Sequence, residues 1–92
     1  MIRTFRCKKT QALFDGHCPR QWQGIRTVAE RKLAQLDAAV TLEFLRAPPG
    51  NRLEALKGDR AGCYSIRIND QWRLCFRFNE TGAFDVEIVD YH

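Results

Sequence analysis

Three groups of side chains in this sequence have types and spacing suited to chemistry on an anion. Asp90, Tyr91 and His92 stand together and combine a carboxylate, a phenol and an imidazole. Imidazole is the side chain whose ordinary pKa best suits proton transfer near neutral pH, and a carboxylate can act as base. Arg67, Arg73 and Arg77 recur in a segment of alternating polarity, and Lys57 and Arg60 flank the turn Gly58-Asp59. Guanidinium and ammonium groups bind phosphate, and a phenol among them can stack a nucleic-acid base. Each group also has a plainer reading. A histidine in that position is commonly only a flexible end, and an arginine strip is commonly a solvated face.

Composition bounds these readings. The chain has 92 residues, with 15 Lys and Arg against 11 Asp and Glu, for a formal net charge of +4. That length predicts a single domain over residues 1–92, with no room for a deep cofactor pocket. Work on an exposed face or shallow groove is expected, with no cofactor. The basic excess favours a polyanionic partner through steering and counterion release, although placement has to decide. Cys7, Cys18, Cys63 and Cys75 lack the close pairing of a zinc site, and His17 beside Cys18 has no further ligands nearby. No apolar run is long enough to span a bilayer, and Met1 to Lys9 lacks the apolar core of a signal peptide. Reduced thiols in the cytoplasm, with no membrane partner, are the expectation.

The elements that must position these groups follow from periodicity. Ile2 to Arg6 predicts a first strand and Gln11 to Phe14 a short helix, with a loop to Trp22. From Gly24 to Val40, the residues Ile25, Val28, Ala29, Leu33, Leu36 and Val40 form one apolar helical stripe. Thr41 to Leu45 adds a short helical piece that Pro48-Pro49-Gly50 stops. Beyond the prolines the period becomes twofold over Cys63–Ile68, Trp72–Phe78 and Phe84–Val89, with polar turns between. Helices followed by an antiparallel meander predict an α+β fold with the N-terminal helices on one sheet face.

Register follows from which residues must be buried. Setting Ile68 opposite Trp72 places Ile66 by Leu74 and Tyr64 by Phe76. Setting Phe78 opposite Phe84 places Phe76 by Val86 and Leu74 by Ile88, so both hairpins agree on one apolar face. On the other face Arg67 falls directly opposite Arg73, with Arg77 further along the strand. Like charges in that position are destabilising and point to a site that expects an anion. Asp85 opposite Arg77, and Glu87 diagonal to Arg73, could neutralise the strip in part; Arg67 gains no carboxylate in this register. Tyr91 shares the parity of Arg73, whereas Asp90 and His92 alternate to the opposite face. They join the arginines only if the strand ends or bulges there.

The segment Pro48 to Arg60, the run Tyr64-Ser-Ile-Arg-Ile-Asn-Asp-Gln-Trp-Arg-Leu-Cys-Phe76 and the closing Val-Asp-Tyr-His resemble the HigB branch of the RelE superfamily. The opening Met-Ile-Arg-Thr-Phe is similar too, so the resemblance covers nearly the whole chain. It implies the RelE-like fold and a toxin of a type II toxin–antitoxin pair that cuts mRNA in the ribosomal A site. It also implies a HigA-like antitoxin with a helix-turn-helix domain, which silences the toxin and carries the complex to operator DNA. Lys57 and Arg73 would then hold the scissile phosphate, while Asp90, Tyr91 and His92 would supply base positioning and proton transfer. Arg67, Arg60 and Arg77 are the further RNA contacts expected from charge and strand pairing. Glu54 stands where some relatives carry a histidine. Cleavage without that group would be weak or would lean on Asp90 and His92.

The chemistry requires no metal, because the RNA 2′-hydroxyl can attack the adjacent phosphate itself. Three other readings stay open on sequence alone: a ribosome or RNA binder that blocks without cutting, a ParE-like gyrase poison, and a structural interaction module without toxicity.

Overall fold

The computed structural model describes residues 1–90; Tyr91 and His92 lie outside them. The expected fold class holds: helices pack on one face of a four-stranded antiparallel sheet. The strands are β1 (Glu54–Ala55), β2 (Tyr64–Arg67), β3 (Trp72–Asn79) and β4 (Gly82–Asp90), neighbouring one another in chain order. Three helices precede them, α1 (Lys8–Phe14), α2 (Arg26–Ala38) and α3 (Leu42–Arg46), with a 3₁₀ turn at Arg20–Ile25 ahead of α2. Among the described residues no helix is long and apolar enough to cross a membrane.

The core is what alternation predicts. Leu13, Trp22, Leu33, Leu36 and Leu45 close over Ile66, Leu74, Phe76, Val86 and Ile88, all nearly or wholly buried. Burying a side chain of this kind contributes roughly 1.5–3 kcal/mol, so the helical layer and the sheet face stabilise each other. Two helical expectations need correction. The chain leaves α2 at Ala39, which is extended, so Val40 is 80% exposed instead of completing the stripe. Lys32 takes a buried place on that helix instead.

Ile2–Arg6 does not make a full strand. It forms two isolated parallel bridges beside β4, Ile2 with Ala83 and Phe5 with Val86. The close approach demands Gly82, whose φ is +139° and whose added Cβ would collide with the Met1 carbonyl.

The β2–β3 register is the predicted one, with Tyr64 opposite Phe76, Ile66 opposite Leu74 and Arg67 opposite Arg73. The β3–β4 register is as predicted from Trp72–Asp90 to Cys75–Glu87; nearer the turn it slips by one. Asn79 pairs with Gly82 and Phe78 with Ala83, not with Phe84. A tight turn at Glu80-Thr81 causes the slip, because the Asn79 carboxamide oxygen accepts from the Thr81 amide at 2.8 Å and its hydroxyl at 2.7 Å. A bulge restores the register: Asp85 and Val86 share the space opposite Phe76, and Asp85 takes a φ of +52°. Val86 keeps its place in the core. Phe84 is turned to the face away from the helices.

The connection from α3 to β1 is fastened by one amide. Asn51 is wholly buried; its Oδ1 accepts from the Lys32 ammonium, and its Nδ2 donates to Gln35 Oε1 at 3.1 Å and the Leu45 carbonyl at 3.0 Å. Its own carbonyl accepts from the Arg67 amide at 2.6 Å. Burial, with the positive charges of Arg31 and Arg67, holds the Lys32 pKa below the ordinary lysine value. Asn51→Ala would strand that ammonium together with two acceptors, so urea unfolding should register a loss of roughly 2–4 kcal/mol. A loss below about 0.5 kcal/mol would mean that water replaces the amide at no penalty.

Candidate active site

Alternation sends Ser65 and Arg67 from β2, Arg73, Cys75 and Arg77 from β3, and Glu87 from β4 to the face away from the helices. Glu54 lies opposite Ser65 on the outer strand. Arg73 was expected on bare sheet, but it is only 7% exposed. The segment between Asn51 and Cys63 folds over this face and supplies its partners. Arg73 Nε donates to the buried Ser65 Oγ at 2.8 Å, and Nη2 donates to the Arg52 carbonyl at 2.7 Å. Its Nη1 lies 3.3 Å from Glu54 Oε1. Arg52 presents that carbonyl from a left-handed conformation, φ +46°, which an L side chain seldom adopts. The guanidinium is thus fixed in place before any ligand arrives.

The other cations are compensated locally, more fully than sequence indicated. Arg67, expected to lack a carboxylate, pairs with Asp70 in the following turn; that hydrogen bond and charge hold the Asp70 pKa below the usual range. This also explains how Arg67 and Arg73 tolerate direct opposition. One turns toward the β2–β3 turn and the other toward β1. Glu87, expected beside Arg73, instead serves Arg60 at 3.1 Å and Arg6 at 3.6 Å. The hydrogen bond to Glu87 holds the Arg60 pKa above the ordinary arginine value. The expected Arg77–Asp85 pair forms at 3.5 Å, although the slipped register puts Phe84 opposite Arg77. Lys57 is exposed just beyond β1 and has no carboxylate partner among the described residues.

Asp90 pairs with Trp72 at the end of a strand that stays regular from Glu87 onward. Its carboxylate accepts from Gln71 Nε2 at 3.2 Å, on the side opposite Arg73. The bulge that could have brought it across sits instead at Asp85. Tyr91 and His92 fall outside the described residues. The structure therefore brings Glu54 against Arg73, sets Lys57 two residues beyond the end of β1, and pairs Asp90 with Trp72, whose parity is opposite to that of Arg73.

Sequence reasoning missed Ser65 and the Arg52 carbonyl as anchors of Arg73, and noted Glu54 only for the histidine it replaces. Parity alone could have paired Glu54 with Ser65 had the two-residue strand β1 carried a register signal. A backbone carbonyl carries none.

Residues 5–92 match the family described as the RelE-like toxin of the type II toxin–antitoxin system HigB. The chain belongs to this family. It is 31% identical over 94 residues to Endoribonuclease HigB of Proteus vulgaris, across the full length of both proteins. It is 54% identical over 48 residues to Toxin HigB-1 of Vibrio cholerae, a match covering 52% of this chain. An uncharacterized protein of Haemophilus influenzae is 41% identical over 51 residues. The chain spans about half the length of the Vibrio and Haemophilus relatives it matches, each covered to 50%.

Under this HigB-like face lie two buried thiols, Cys63 and Cys75. Burial above all pushes the Cys75 pKa up to about 11, so the thiol stays neutral and unreactive until the pH nears that value. At pH 8 iodoacetamide should label the half-buried Cys7 and Cys18 in the native protein and reach Cys63 and Cys75 only after unfolding. Peptide mass mapping checks this. Native labelling of Cys75 would mean that the covering segment opens readily.

Proposed function

We propose that this protein is the toxin of a toxin–antitoxin pair and acts as an endoribonuclease that cuts mRNA in the ribosomal A site. The observation that carries the proposal is the Glu54–Arg73 pair, 3.3 Å apart, with Glu54 on the short strand β1 that leads to exposed Lys57. Family membership supports the toxin role, and the name of the full-length Proteus relative supports RNA cleavage.

In this mechanism the RNA supplies its own nucleophile. Glu54 accepts the proton of the 2′-hydroxyl as its oxygen attacks the adjacent phosphorus. Arg73 and Lys57 neutralise the pentavalent phosphate. The 5′-oxygen leaves with a proton from the terminal residues, for which His92 is the acid and Tyr91 stacks the neighbouring base. The products are a 2′,3′-cyclic phosphate and a 5′-hydroxyl. Glu54 thereby takes the part that sequence alone assigned to Asp90, since Asp90 lies across the sheet and Glu54 touches the arginine. Arg60 and Arg67 shape the approach of the strand. The group supplies binding and proton transfer only, so the ribosome must hold the mRNA in line for attack. A helix-turn-helix antitoxin of the HigA kind silences the toxin, carries the complex to operator DNA, and shares its cytoplasmic location.

Primer extension on mRNA bound to purified ribosomes tests this reading. Cleavage should fall about 10²–10⁴-fold in both Glu54→Gln and Lys57→Ala. Lys57→Ala changes an exposed residue and should retain the wild-type melting temperature, whereas Glu54→Gln removes the charge facing buried Arg73 and should lower it. Growth arrest by the wild-type protein without new RNA ends would overturn the nuclease in favour of a non-cleaving binder. Arg73→Ala should abolish cutting and also lower stability by roughly 1–3 kcal/mol, because it strands buried Ser65 and the Arg52 carbonyl. Thermal melting should separate it from Lys57→Ala.

A further inference from the structure

From the bulge in β4, and resting on the ribonuclease reading above, we infer a second RNA contact: a base-binding subsite centred on Phe84, for a nucleotide flanking the scissile phosphate. The lining of an open depression of about 530 Å³ includes Thr4, Gly62, Arg77, Phe78, Phe84 and Asp85, and Arg77 shares the strand parity of Arg73. Four residues of β3 separate Arg77 from Arg73, a distance of about 13 Å, so the depression lies beside the reacting phosphate rather than on it.

Several independent features build this depression. Without the bulge, Phe84 would face the helices opposite Phe78; with it, Phe84 stands opposite Arg77 and outside the hydrophobic core of the described residues. The bulge is held by Thr4, whose hydroxyl accepts from the Asp85 amide at 2.8 Å and whose carbonyl accepts from the Val86 amide at 3.2 Å. Asp85 bears a left-handed backbone to make the turn. Gly62 leaves room for the Arg77 guanidinium, because an added Cβ would come within 2.8 Å of Nη1. Withdrawing an aromatic side chain from a small core forgoes burial energy, and re-aiming a side chain is what bulges do beside active sites.

The chemistry of the depression fits a nucleobase. The ring of Phe84 offers a stacking surface, and half-exposed Arg77 offers a guanidinium for the adjoining phosphate. The half-exposed Asp85 carboxylate, paired with Arg77 at 3.5 Å in the free protein, would exchange that weak partner for an exocyclic amino group, which adenine, guanine and cytosine carry and uracil lacks. The loop Lys57–Gly62 joins the two places, with Lys57 at the reacting end and Gly62 at the depression. An RNA strand laid along β3 would meet both.

The test uses the full chain and a fully 2′-O-methylated octaribonucleotide, which cannot be cut by 2′-hydroxyl attack. Fluorescence anisotropy at low salt should give about tenfold weaker binding for Phe84→Ala and for Phe84→Leu, and near wild-type binding for Phe84→Trp. The amide signals of Gly62, Arg77 and Phe84 should shift when wild-type protein binds, and an all-uridine oligomer should bind less well. On programmed ribosomes, Phe84→Ala should change which sites are cut more than how fast the preferred site is cut. Unchanged binding by Phe84→Ala, or full rescue by Phe84→Leu, would overturn the subsite. So would loss of antitoxin binding with RNA binding intact, which would assign the depression to the protein partner. Absence of cutting by the wild type would sink the nuclease reading alone, because the oligonucleotide measurement does not depend on cleavage.

Discussion

The buried carboxamide of Asn51 joins parts of the molecule that the sheet alone would leave independent. It faces the Lys32 ammonium, the Gln35 side chain and the Leu45 carbonyl, while its backbone carbonyl takes the Arg67 amide. One residue thus ties α2, the end of α3 and the edge of β2 to a single point. The next residue, Arg52, is forced into a left-handed turn whose carbonyl fixes Arg73, and β1 with Glu54 follows at once. A charge taken out of water is tolerated only where its partners are fixed, and this latch fixes them.

Electrostatic compensation on the open sheet face follows from that arrangement. Arg73, Arg60, Arg67 and Arg77 each have a carboxylate within reach, contributed by Glu54, Glu87, Asp70 and Asp85 respectively. The net positive charge is therefore not a bare stripe. It consists of oriented guanidinium groups whose carboxylates screen mutual repulsion in the free protein. Exposed pairs of this sort add little stability, so an incoming phosphate competes with them at small cost. Arg73 differs because it is buried and held on several sides, which suits a group that must stay in place while charge develops nearby.

The face is asymmetric along its length. Near β1 the side chains suit proton transfer and charge stabilisation, whereas beyond the bulge they suit recognition of a flat ring. Both regions depend on segments distant in sequence: the 51–63 segment covers one, and Thr4 braces the other. The sheet supplies a straight ruler between them. Division of labour on a domain this small is possible because none of these groups draws on the hydrophobic core facing the helices.

The amino-acid sequence by itself determined the α+β architecture, the β2–β3 register and the opposition of Arg67 and Arg73. It also carried the family resemblance. These follow from local periodicity and from the requirement that one sheet face be apolar, information that neighbouring residues hold. Only the tertiary structure decided that Arg73 is covered, that Glu54 is its partner, and that Phe84 leaves the core. Each of those depends on a backbone carbonyl, a two-residue strand or a compensating slip, none of which leaves a periodic mark. Side-chain pattern tells which face a strand must bury, but long-range hydrogen bonds choose what lies on the face left over.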